Sequence, residues 1–364
     1  MTTKNDQELS TEGLVGRLFD SGLKAFELLT VYIGDRLGLY KALAAGGSGT
    51  PGEIARRTGL NERYVREWLE QQAVAAIITV SDASLPEDER VYSLPPEHAE
   101  ALVKPDSPFS ITPLARLPVS MGLVMPKLLD AFRSGGGVDW AAYGPDAIEA
   151  QGDFNRPWLR SQLASEYLPA IPDIDARLNA DPPARVLDMA SGVGWCGISI
   201  AQGYPKVTVT GIDVDQSSIV RAQANANEQG VAGRVQFEAR DGAGSLGGPY
   251  DLALIIEAVH DMSNPVGILS SVREALAPGA SLIVVDERVA PVFTAPGDEI
   301  ERFMYGASVL CCLPTGMSEL PTVATGTVMR PSTLERFTSD AGFTKFEILE
   351  GLEHPFFRFY RLRS

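Results

Sequence analysis

The spacing of hydrophobic positions along the chain changes near residue 180. Up to about residue 130 these positions recur at three- and four-residue intervals, as at Phe26, Leu29, Ile33 and Leu37, which predicts amphipathic helices. From Arg185 onward, short apolar runs alternate with helical stretches, a pattern typical of a mostly parallel sheet covered on both faces. We therefore predict an α-helical part followed by an α/β part.

The helical part contains the element order of a winged helix. Two short predicted helices, 53–59 and 61–69, are joined at a glycine, and a predicted hairpin follows with strands ITVSD and VYSL around residues 86–90. Such a unit either binds DNA or serves as a dimerisation or lid domain. Four arginines between residues 56 and 66 suit DNA, but the acidic chain as a whole favours the structural role.

The predicted domain boundaries follow from these patterns. Residues 1–130 form a helical, winged-helix-like dimerisation or lid domain, 131–180 a helical connector, and 181–364 an α/β domain. The predicted strands are, in order, Arg185–Met189, Val207–Asp213, Val235–Ala239, Tyr250–Ile256, Ser281–Asp286, Thr344–Leu349 and Phe357–Leu362.

Composition narrows the function classes. Hydrophobic residues make up 45% of the 364 residues, enough for a large core, and 31 basic against 47 acidic side chains give a formal charge of −16. This charge disfavours nucleic acid as a partner. The three cysteines do not show the spacing of a disulfide framework or a zinc site, so we predict no metal. The polar first residues and the lack of a run of ~20 apolar residues predict a cytoplasmic protein without membrane contact.

A glycine-rich loop carries the candidate cofactor chemistry. Gly192, Gly194 and Gly197 follow the first predicted strand of the α/β part and open a helix, where bare backbone allows a ligand to approach closely. Asp213 ends the next strand, 21 positions after Gly192, and can accept hydrogen bonds from both ribose hydroxyls. Taken alone, this pattern fits NAD as well as any other adenosine-bearing cofactor.

Acidic residues at successive strand ends favour S-adenosylmethionine over NAD. Asp188 would repel a pyrophosphate but attracts a cationic amino group and a sulfonium. Asp241 suits an adenine amino group, and a polar cluster, 257–261, follows the fourth strand. The predicted cofactor-binding residues are Asp188, Ala190, Gly192, Gly194, Asp213, Asp241, Gly242 and Glu257.

The motifs LDMASGVG, GIDVD, ARDGAG, YDLALIIEAVHDMSNP and PGASLIVVDE resemble those of class I S-adenosylmethionine-dependent methyltransferases. With the winged-helix-like part, nearly the whole chain is similar to the small-molecule O-methyltransferases of plants and of actinobacterial secondary metabolism. The resemblance implies an α/β fold with a seven-stranded Rossmann-like domain, a small aromatic or hydrophobic acceptor, and a homodimer through the N-terminal domain. The family usually has glycine where this chain has Ala190, whose methyl group is expected to crowd the cofactor.

The same resemblance assigns a general base. The family's catalytic histidine matches His260, which titrates near neutral pH and can take a proton from an acceptor hydroxyl. Glu287 matches the partner glutamate that orients the imidazole, and Asp261 is its rival; the family's second glutamate has no counterpart here. His354 and His98 are expected in surface loops. Residues 311–312, a Cys-Cys pair, are expected to pack or to line a pocket.

Three alternatives stay open on the sequence alone. The acceptor atom could be a nitrogen or a carboxylate oxygen rather than a hydroxyl. The fold could bind S-adenosylmethionine without methyl transfer, in rearrangement, decarboxylation or regulation. An NAD-dependent oxidoreductase is the third alternative.

Overall fold

The computed structural model describes residues 10–364, which form two compact units that divide between Ser120 and Met121. The helices of the first unit are α1 (Thr11–Arg36), α2 (Leu39–Gly46), α3 (Pro51–Thr58), α4 (Glu62–Val74) and α5 (Pro96–Val103). Helix α6 (Thr112–Ser134) runs across the division, so the predicted boundary at residue 130 falls inside a helix. The predicted connector belongs to the second compact unit.

The first unit confirms the predicted winged helix. A capping box between Thr50 and Glu53 begins α3, and Gly59, with φ of 70°, ends it in the left-handed conformation that glycine adopts without strain. Asn61 then caps α4 by accepting backbone N–H bonds. Strands β1 (Thr79–Val80) and β2 (Tyr92–Ser93) pair antiparallel to form the wing. Local capping chemistry therefore accounts for the turn between the two helices.

The second unit holds a mixed seven-stranded sheet, as predicted. Its strands are β3 (Arg185–Met189), β4 (Thr208–Asp213), β5 (Val235–Ala239), β6 (Tyr250–Ile256), β7 (Leu276–Glu287), β8 (Lys345–Ile348) and β9 (Phe357–Arg363). The order across the sheet is β5-β4-β3-β6-β7-β9-β8. Strands β5, β4, β3, β6 and β7 pair parallel, and β9 lies antiparallel between β7 and β8.

Successive residues of the central strands point to opposite faces of the sheet and enter two separate apolar clusters. On β6, Leu252 and Leu254 join one cluster, whereas Ala253 and Ile255 join the other. Helices α9 (Trp195–Gly203) and α10 (Gln216–Glu228) contribute to the first cluster, and α11 (Pro265–Ala275) and α14 (Pro331–Asp340) to the second. The alternation explains why these strands appear in the sequence as continuous apolar runs.

The remaining helical segments lie before β3 and between β6 and β8. They are a 3₁₀ turn (Trp140–Tyr143), α7 (Pro145–Trp158), a π-helical stretch (Leu159–Tyr167), α8 (Pro172–Asn179), a 3₁₀ turn (Val259–Asp261), α12 (Glu299–Ala307), a second π-helical stretch (Ser308–Cys312) and α13 (Leu313–Gly316). Across residues 10–364, the length and apolarity of the helices fall short of what a membrane-crossing helix needs.

Candidate active site

Five parallel strands bring their carboxyl ends to one edge of the sheet. Ligands of open α/β sheets bind outside this edge. The acidic residues at or just after the ends of β5, β4, β3, β6 and β7, in the order of the sheet, are Asp241, Asp213, Asp188, Glu257 and the pair Asp286 and Glu287. The strand order therefore places these side chains at one edge of the sheet, although the most widely separated of them are about a hundred residues apart in the chain.

The glycine loop between β3 and α9 depends on backbone shapes that favour glycine. Gly192 and Gly194 have φ of 51° and 86°. A Cβ at Gly194 would lie 2.5 Å from the ring of Phe237, whereas a Cβ at Gly192 would meet nothing within 4 Å. Gly194 is therefore required for packing, and Gly192 leaves its backbone open to a ligand.

Asp188 anchors the helix that follows the glycine loop. Its side chain is buried, and Oδ2 accepts the backbone N–H of Gly197 at 2.9 Å, in the first turn of α9. Burial raises the pKa of Asp188 to about 7, although the bond from Gly197 opposes the shift. The carboxyl group therefore fixes the loop against the helix and is poorly solvated.

Asp213 and Asp241 keep acceptor capacity at the neighbouring strand ends. Asp213 accepts the backbone N–H of Gly192 with Oδ2 and that of Asp215 with Oδ1, each at 2.8 Å, and remains partly exposed. Asp241 is exposed and accepts a local backbone N–H, from Ala243, at 2.9 Å. A carboxylate has about four acceptor sites, so both side chains can accept further bonds from a ligand.

Gly242 lies beside Asp241 and is buried. A Cβ placed there would come within 2.9 Å of the sulfur of Met189. Because that methionine ends β3, the absence of a side chain at Gly242 lets the loop after β5 pack against the end of β3. Gly242 thus allows the backbone of this loop to lie close to the end of β3.

Two residues other than glycine adopt positive φ at the ends of neighbouring strands. Ala190 follows β3 with φ of 57°, and Glu257 follows β6 with φ of 51°. The left-handed conformation costs such residues about 1–2 kcal/mol relative to glycine, and strain of this kind concentrates at functional sites. Alanine at position 190 therefore strains the backbone where glycine would not.

Glu257 is held by a residue that the sequence did not reveal. Asn155, on α7, donates its amide N–H to Glu257 Oε2 and in turn accepts the indole N–H of Trp158 at 3.0 Å. Burial raises the pKa of Glu257 to about 7, against the lowering effect of the bond from Asn155. Nothing in the local sequence around Asn155 indicates this contact, because the two residues are 102 positions apart.

His260 contacts two acidic residues at the end of β7. It is 2% exposed, and its Nδ1 donates to Asp286 Oδ1 at 2.8 Å, since an ionised carboxylate can only accept. Glu287 Oε2 lies 3.0 Å from the same nitrogen but makes no hydrogen bond. The sequence assigned the orienting role to Glu287 and did not consider Asp286; the adjacent acid at the end of the same strand was the available signal.

The charges around His260 determine its protonation. Burial alone would lower the pKa of His260, but Asp261, Glu287 and Asp286 outweigh it and raise that pKa well above its ordinary value. Burial also raises the pKa of Glu287 well above its usual range, whereas the charge of His260 lowers the pKa of Asp286 against the effect of burial. Three acidic residues therefore surround His260, and Asp286 is the one that bonds its imidazole.

The other nitrogen of His260 faces Asp261 and the segment containing Cys312. Nε2 of His260 lies 3.3 Å from Oδ1 of Asp261; this oxygen atom is buried and, among residues 10–364, makes no hydrogen bond. Cys312 ends the π-helical stretch and brings its sulfur to the same place, within 4.8 Å of the other two atoms. Asp261 is thus a neighbour of Nε2, opposite the side that Asp286 orients.

The other two histidines differ in burial. His98 is exposed, as expected, but lies in α5 rather than in a loop. The expectation for His354 is wrong: it is buried, and its Nδ1 accepts the backbone N–H groups of Phe356 and Phe357, each at 3.2 Å. A local turn before β9 buries this imidazole in its neutral form, which burial favours by lowering the pKa of His354 to about 4.

Family models match both parts of the chain. Residues 25–104 match the family described as Rv2258c-like winged HTH domain, and residues 180–313 match the family described as methyltransferase domain. The chain is also 26% identical over 184 residues to the ubiquinone biosynthesis O-methyltransferase of Pseudomonas savastanoi pv. phaseolicola, a match that covers 50% of this chain and 73% of that protein.

Solved structures share the fold over almost the whole chain. A putative O-methyltransferase from Nostoc punctiforme superposes with a TM-score of 0.66 at 19% identity, covering 96% of this chain and 99% of the other. Human N-acetylserotonin methyltransferase, solved in complex with S-adenosylmethionine, has a TM-score of 0.70 at 17% identity, covering 98% and 99%. The fold of both units is therefore shared with solved methyltransferases.

Proposed function

Because the chain belongs to the S-adenosylmethionine-dependent methyltransferases, we propose that it methylates a hydroxyl group of a small aromatic or hydrophobic molecule in secondary metabolism. The observation that carries this proposal is the buried pair of His260 and Asp286 at the same sheet edge as the glycine loop. An oriented imidazole at this edge is what O-methylation of an alcohol or phenol requires, whereas a carboxylate acceptor needs no base.

The residues of the edge fit S-adenosylmethionine. When bound, the cofactor supplies an electrophilic methyl group and its own leaving group. Gly192 offers open backbone, Asp213 has acceptor sites left for ribose hydroxyls, and Asp241 is exposed to accept from an adenine amino group. Asp188 and Glu257 place carboxyl groups at the two neighbouring strand ends, where the cofactor's ammonium and sulfonium lower the cost of ionising them.

His260 is the base in this proposal. Asp286 occupies Nδ1, which leaves Nε2 as the nitrogen that can take the acceptor's proton. Oδ1 of Asp261 lies 3.3 Å from Nε2 and can receive the proton that this nitrogen takes up. Asp286 keeps the imidazole in one orientation throughout, and burial excludes water from both groups.

An apolar acceptor is supported by the segment that follows β7. The large apolar side chains that this segment exposes in the single chain include Phe293, Phe303, Tyr305 and Val309. The rings of Phe293 and Tyr305 meet edge to face with centroids 6.3 Å apart. Exposed aromatic rings of this kind suit a flat or hydrophobic ligand.

A second copy of the chain is the proposed partner of the N-terminal unit. Helix α1 has 26 residues, and Gly34 is its only buried residue. Apolar side chains along it are exposed in the single chain, and they are Leu14, Val15, Leu18, Phe19, Leu23, Phe26, Leu29 and Ile33. A contiguous apolar face of this length is typical of an interface, which supports a homodimer through this helix.

The proposal is tested by methyl transfer itself. The protein is incubated with S-adenosylmethionine and matched acceptors that present a phenol, an amine or a carboxylate, and S-adenosylhomocysteine and methylated product are measured by mass spectrometry. We expect product with phenolic acceptors, and turnover at least ~10²-fold lower in His260→Ala at unchanged cofactor affinity. Cofactor binding without S-adenosylhomocysteine would indicate a non-transferring protein, and unchanged turnover in His260→Ala would contradict the base assignment.

A further inference from the structure

A cysteine from the segment after β7 completes a set of possible metal ligands beside His260. Within residues 10–364, two groups of ligand atoms lie close enough to share a metal ion. One group is formed by Nε2 of His260, a carboxylate oxygen of Asp261 and Sγ of Cys312, which all lie within 4.8 Å of one another. Imidazole, carboxylate and thiolate are all ligands that zinc accepts.

The spacing of two of these atoms fits a tetrahedral ion. Nε2 of His260 and Oδ1 of Asp261 are 3.3 Å apart. Two ligand atoms about 2.1 Å from a tetrahedral zinc ion lie about 3.4 Å from each other. Moreover, among residues 10–364 Oδ1 of Asp261 is buried without a hydrogen bond, so it keeps acceptor capacity for a cation.

The surroundings of His260 match those of a metal-binding imidazole. Its Nδ1 donates to Asp286, and such a carboxylate behind a ligating histidine fixes the ring and raises its basicity. Access is also available, because Cys312 is half-buried and 39% of the Asp261 side chain is exposed. The second group, which joins His260 to Asp286 and Glu287, is wholly buried and uses the nitrogen that is already bonded.

We propose that His260, Asp261 and Cys312 bind Zn²⁺ with three protein ligands and a fourth position open to water. Binding replaces the thiol proton of Cys312 and any proton on Nε2, and both protons go to solvent. The ion then occupies the nitrogen that acts as the base in the proposed function. Zn²⁺ bound there inhibits methyl transfer. This inhibition rests on the proposed function, whereas the binding of Zn²⁺ does not.

Cobalt substitution tests the binding directly. Co²⁺ is added to the full-length protein, and thiolate-to-cobalt charge-transfer absorption is recorded before and after competition with Zn²⁺. We expect the absorption in the wild type and in Cys311→Ser, the matched control one residue away, and its loss in Cys312→Ser. No absorption in the wild type, or its loss in Cys311→Ser with retention in Cys312→Ser, would overturn the proposal.

A second variant tests the ligand set even if Cys312→Ser fails to fold. Asp261→Asn keeps the thiol and removes one anionic ligand, so we expect the absorption to persist while zinc affinity, measured by competition with a chromophoric chelator, falls at least ~10-fold. Equal zinc affinity in Asp261→Asn and the wild type would contradict the assigned ligand set. Circular dichroism and thermal unfolding of both variants establish that they are folded.

Turnover with and without Zn²⁺ separates this proposal from the proposed function. If methyl transfer occurs, we expect Zn²⁺ to inhibit the wild type and Cys311→Ser at concentrations at least ~10-fold below those that inhibit Cys312→Ser. Absorption without any methyl transfer would support the metal site and contradict the function. Methyl transfer without absorption would support the function and contradict the metal site.

Discussion

Nδ1 of His260 donates to Oδ1 of Asp286 at 2.8 Å, across 26 residues of sequence and with both side chains at most 2% exposed. The imidazole follows β6, and the carboxylate belongs to β7, which is hydrogen-bonded to β6 in the sheet. Because parallel pairing sets the relative position of the two strand ends, the orientation of the imidazole depends on the sheet itself. Its other nitrogen is therefore held in a defined direction.

This relationship predicts that Asp286 is a positioning residue for turnover. In Asp286→Asn the amide can offer Nδ2–H to Nδ1 and favour the wrong tautomer, so we expect kcat to fall about 10²-fold while the Kd of S-adenosylmethionine, measured by calorimetry, stays unchanged. Glu287→Gln is the matched control on the same strand. Since Glu287 lies 3.0 Å from Nδ1 without a hydrogen bond, its change should cost less turnover.

A larger loss of kcat in Glu287→Gln than in Asp286→Asn would contradict this assignment and restore the partner expected from the sequence. A loss of cofactor affinity in Asp286→Asn would indicate a general structural role instead. Both variants are compared at equal occupancy of cofactor and acceptor.

Backbone strain at Ala190 predicts a stabilising substitution. Its φ of 57° costs alanine about 1 kcal/mol relative to glycine, so we expect Ala190→Gly to raise the free energy of unfolding by up to about 1 kcal/mol. Chemical denaturation of the protein without ligands measures the change. The added freedom of the unfolded glycine offsets part of the gain.

The control for Ala190→Gly is the same change inside a regular helix. Ala224 lies within α10 (Gln216–Glu228), where glycine is unfavourable, so Ala224→Gly should lower the free energy of unfolding by about 0.5–1 kcal/mol. Equal destabilisation of both variants would mean that the left-handed conformation does not strain alanine at position 190.

The apolar face of α1 predicts how the oligomeric state responds to charge. Val15 is 62% exposed in the single chain, and a carboxylate there would be buried in a dimer. We expect Val15→Asp to shift the mass measured by light scattering from dimer to monomer. Val220→Asp, at a similarly exposed position (57%) on α10, should leave the mass unchanged. A monomeric wild type, or a dimer that tolerates Val15→Asp, would contradict the interface.

Burial of His354 predicts a loss of stability in acid. The unfolded histidine takes up a proton near pH 6.5, whereas burial keeps the folded one neutral down to a pKa of about 4. The unfolded state therefore gains protons first as the pH falls, and the stability present above pH 6.5 declines between these values, by about 1–3 kcal/mol. Denaturation at pH 7.5 and pH 5 measures the difference.

His354→Asn supplies the comparison for this pH dependence. The asparagine carbonyl can accept the same two backbone N–H groups but does not titrate, so the variant should lose less stability than the wild type between pH 7.5 and pH 5. His98→Asn, at an exposed position, should behave as the wild type. An identical decline in His354→Asn and the wild type would assign the acid sensitivity to other groups.

The strands and the winged helix could be predicted because their signals are local. The central strands Arg185–Met189 and Tyr250–Ile256 are short, mostly apolar runs of five and seven residues, and the turn at Gly59 is set by capping residues on both sides. Parallel sheets place strand ends at a common edge, so the acidic residues after these runs could be grouped from the sequence alone.

Two of the contacts that sequence reasoning missed join distant segments. Asn155 reaches Glu257 from a helix whose placement depends on tertiary packing, and Cys312 reaches Asp261 from a π-helical stretch that hydrophobic spacing does not predict. Asp286 was overlooked for another reason: two acids end the same strand, and only the side-chain geometry decides which one bonds His260. Burial of His354 likewise depends on a turn formed by its neighbours.

The position of β9 in the sheet has a consequence for biosynthesis. This strand, Phe357–Arg363, lies inside the sheet between β7 and β8, and within residues 10–364 β8 pairs with no other strand than β9. On a translating ribosome, β7 and β8 emerge before the strand that joins them. The edge of β7 that β9 covers, including the backbone beside Asp286 and Glu287, therefore stays unpaired at least until β9 has left the ribosome, and the nascent chain must avoid aggregation through it in the meantime.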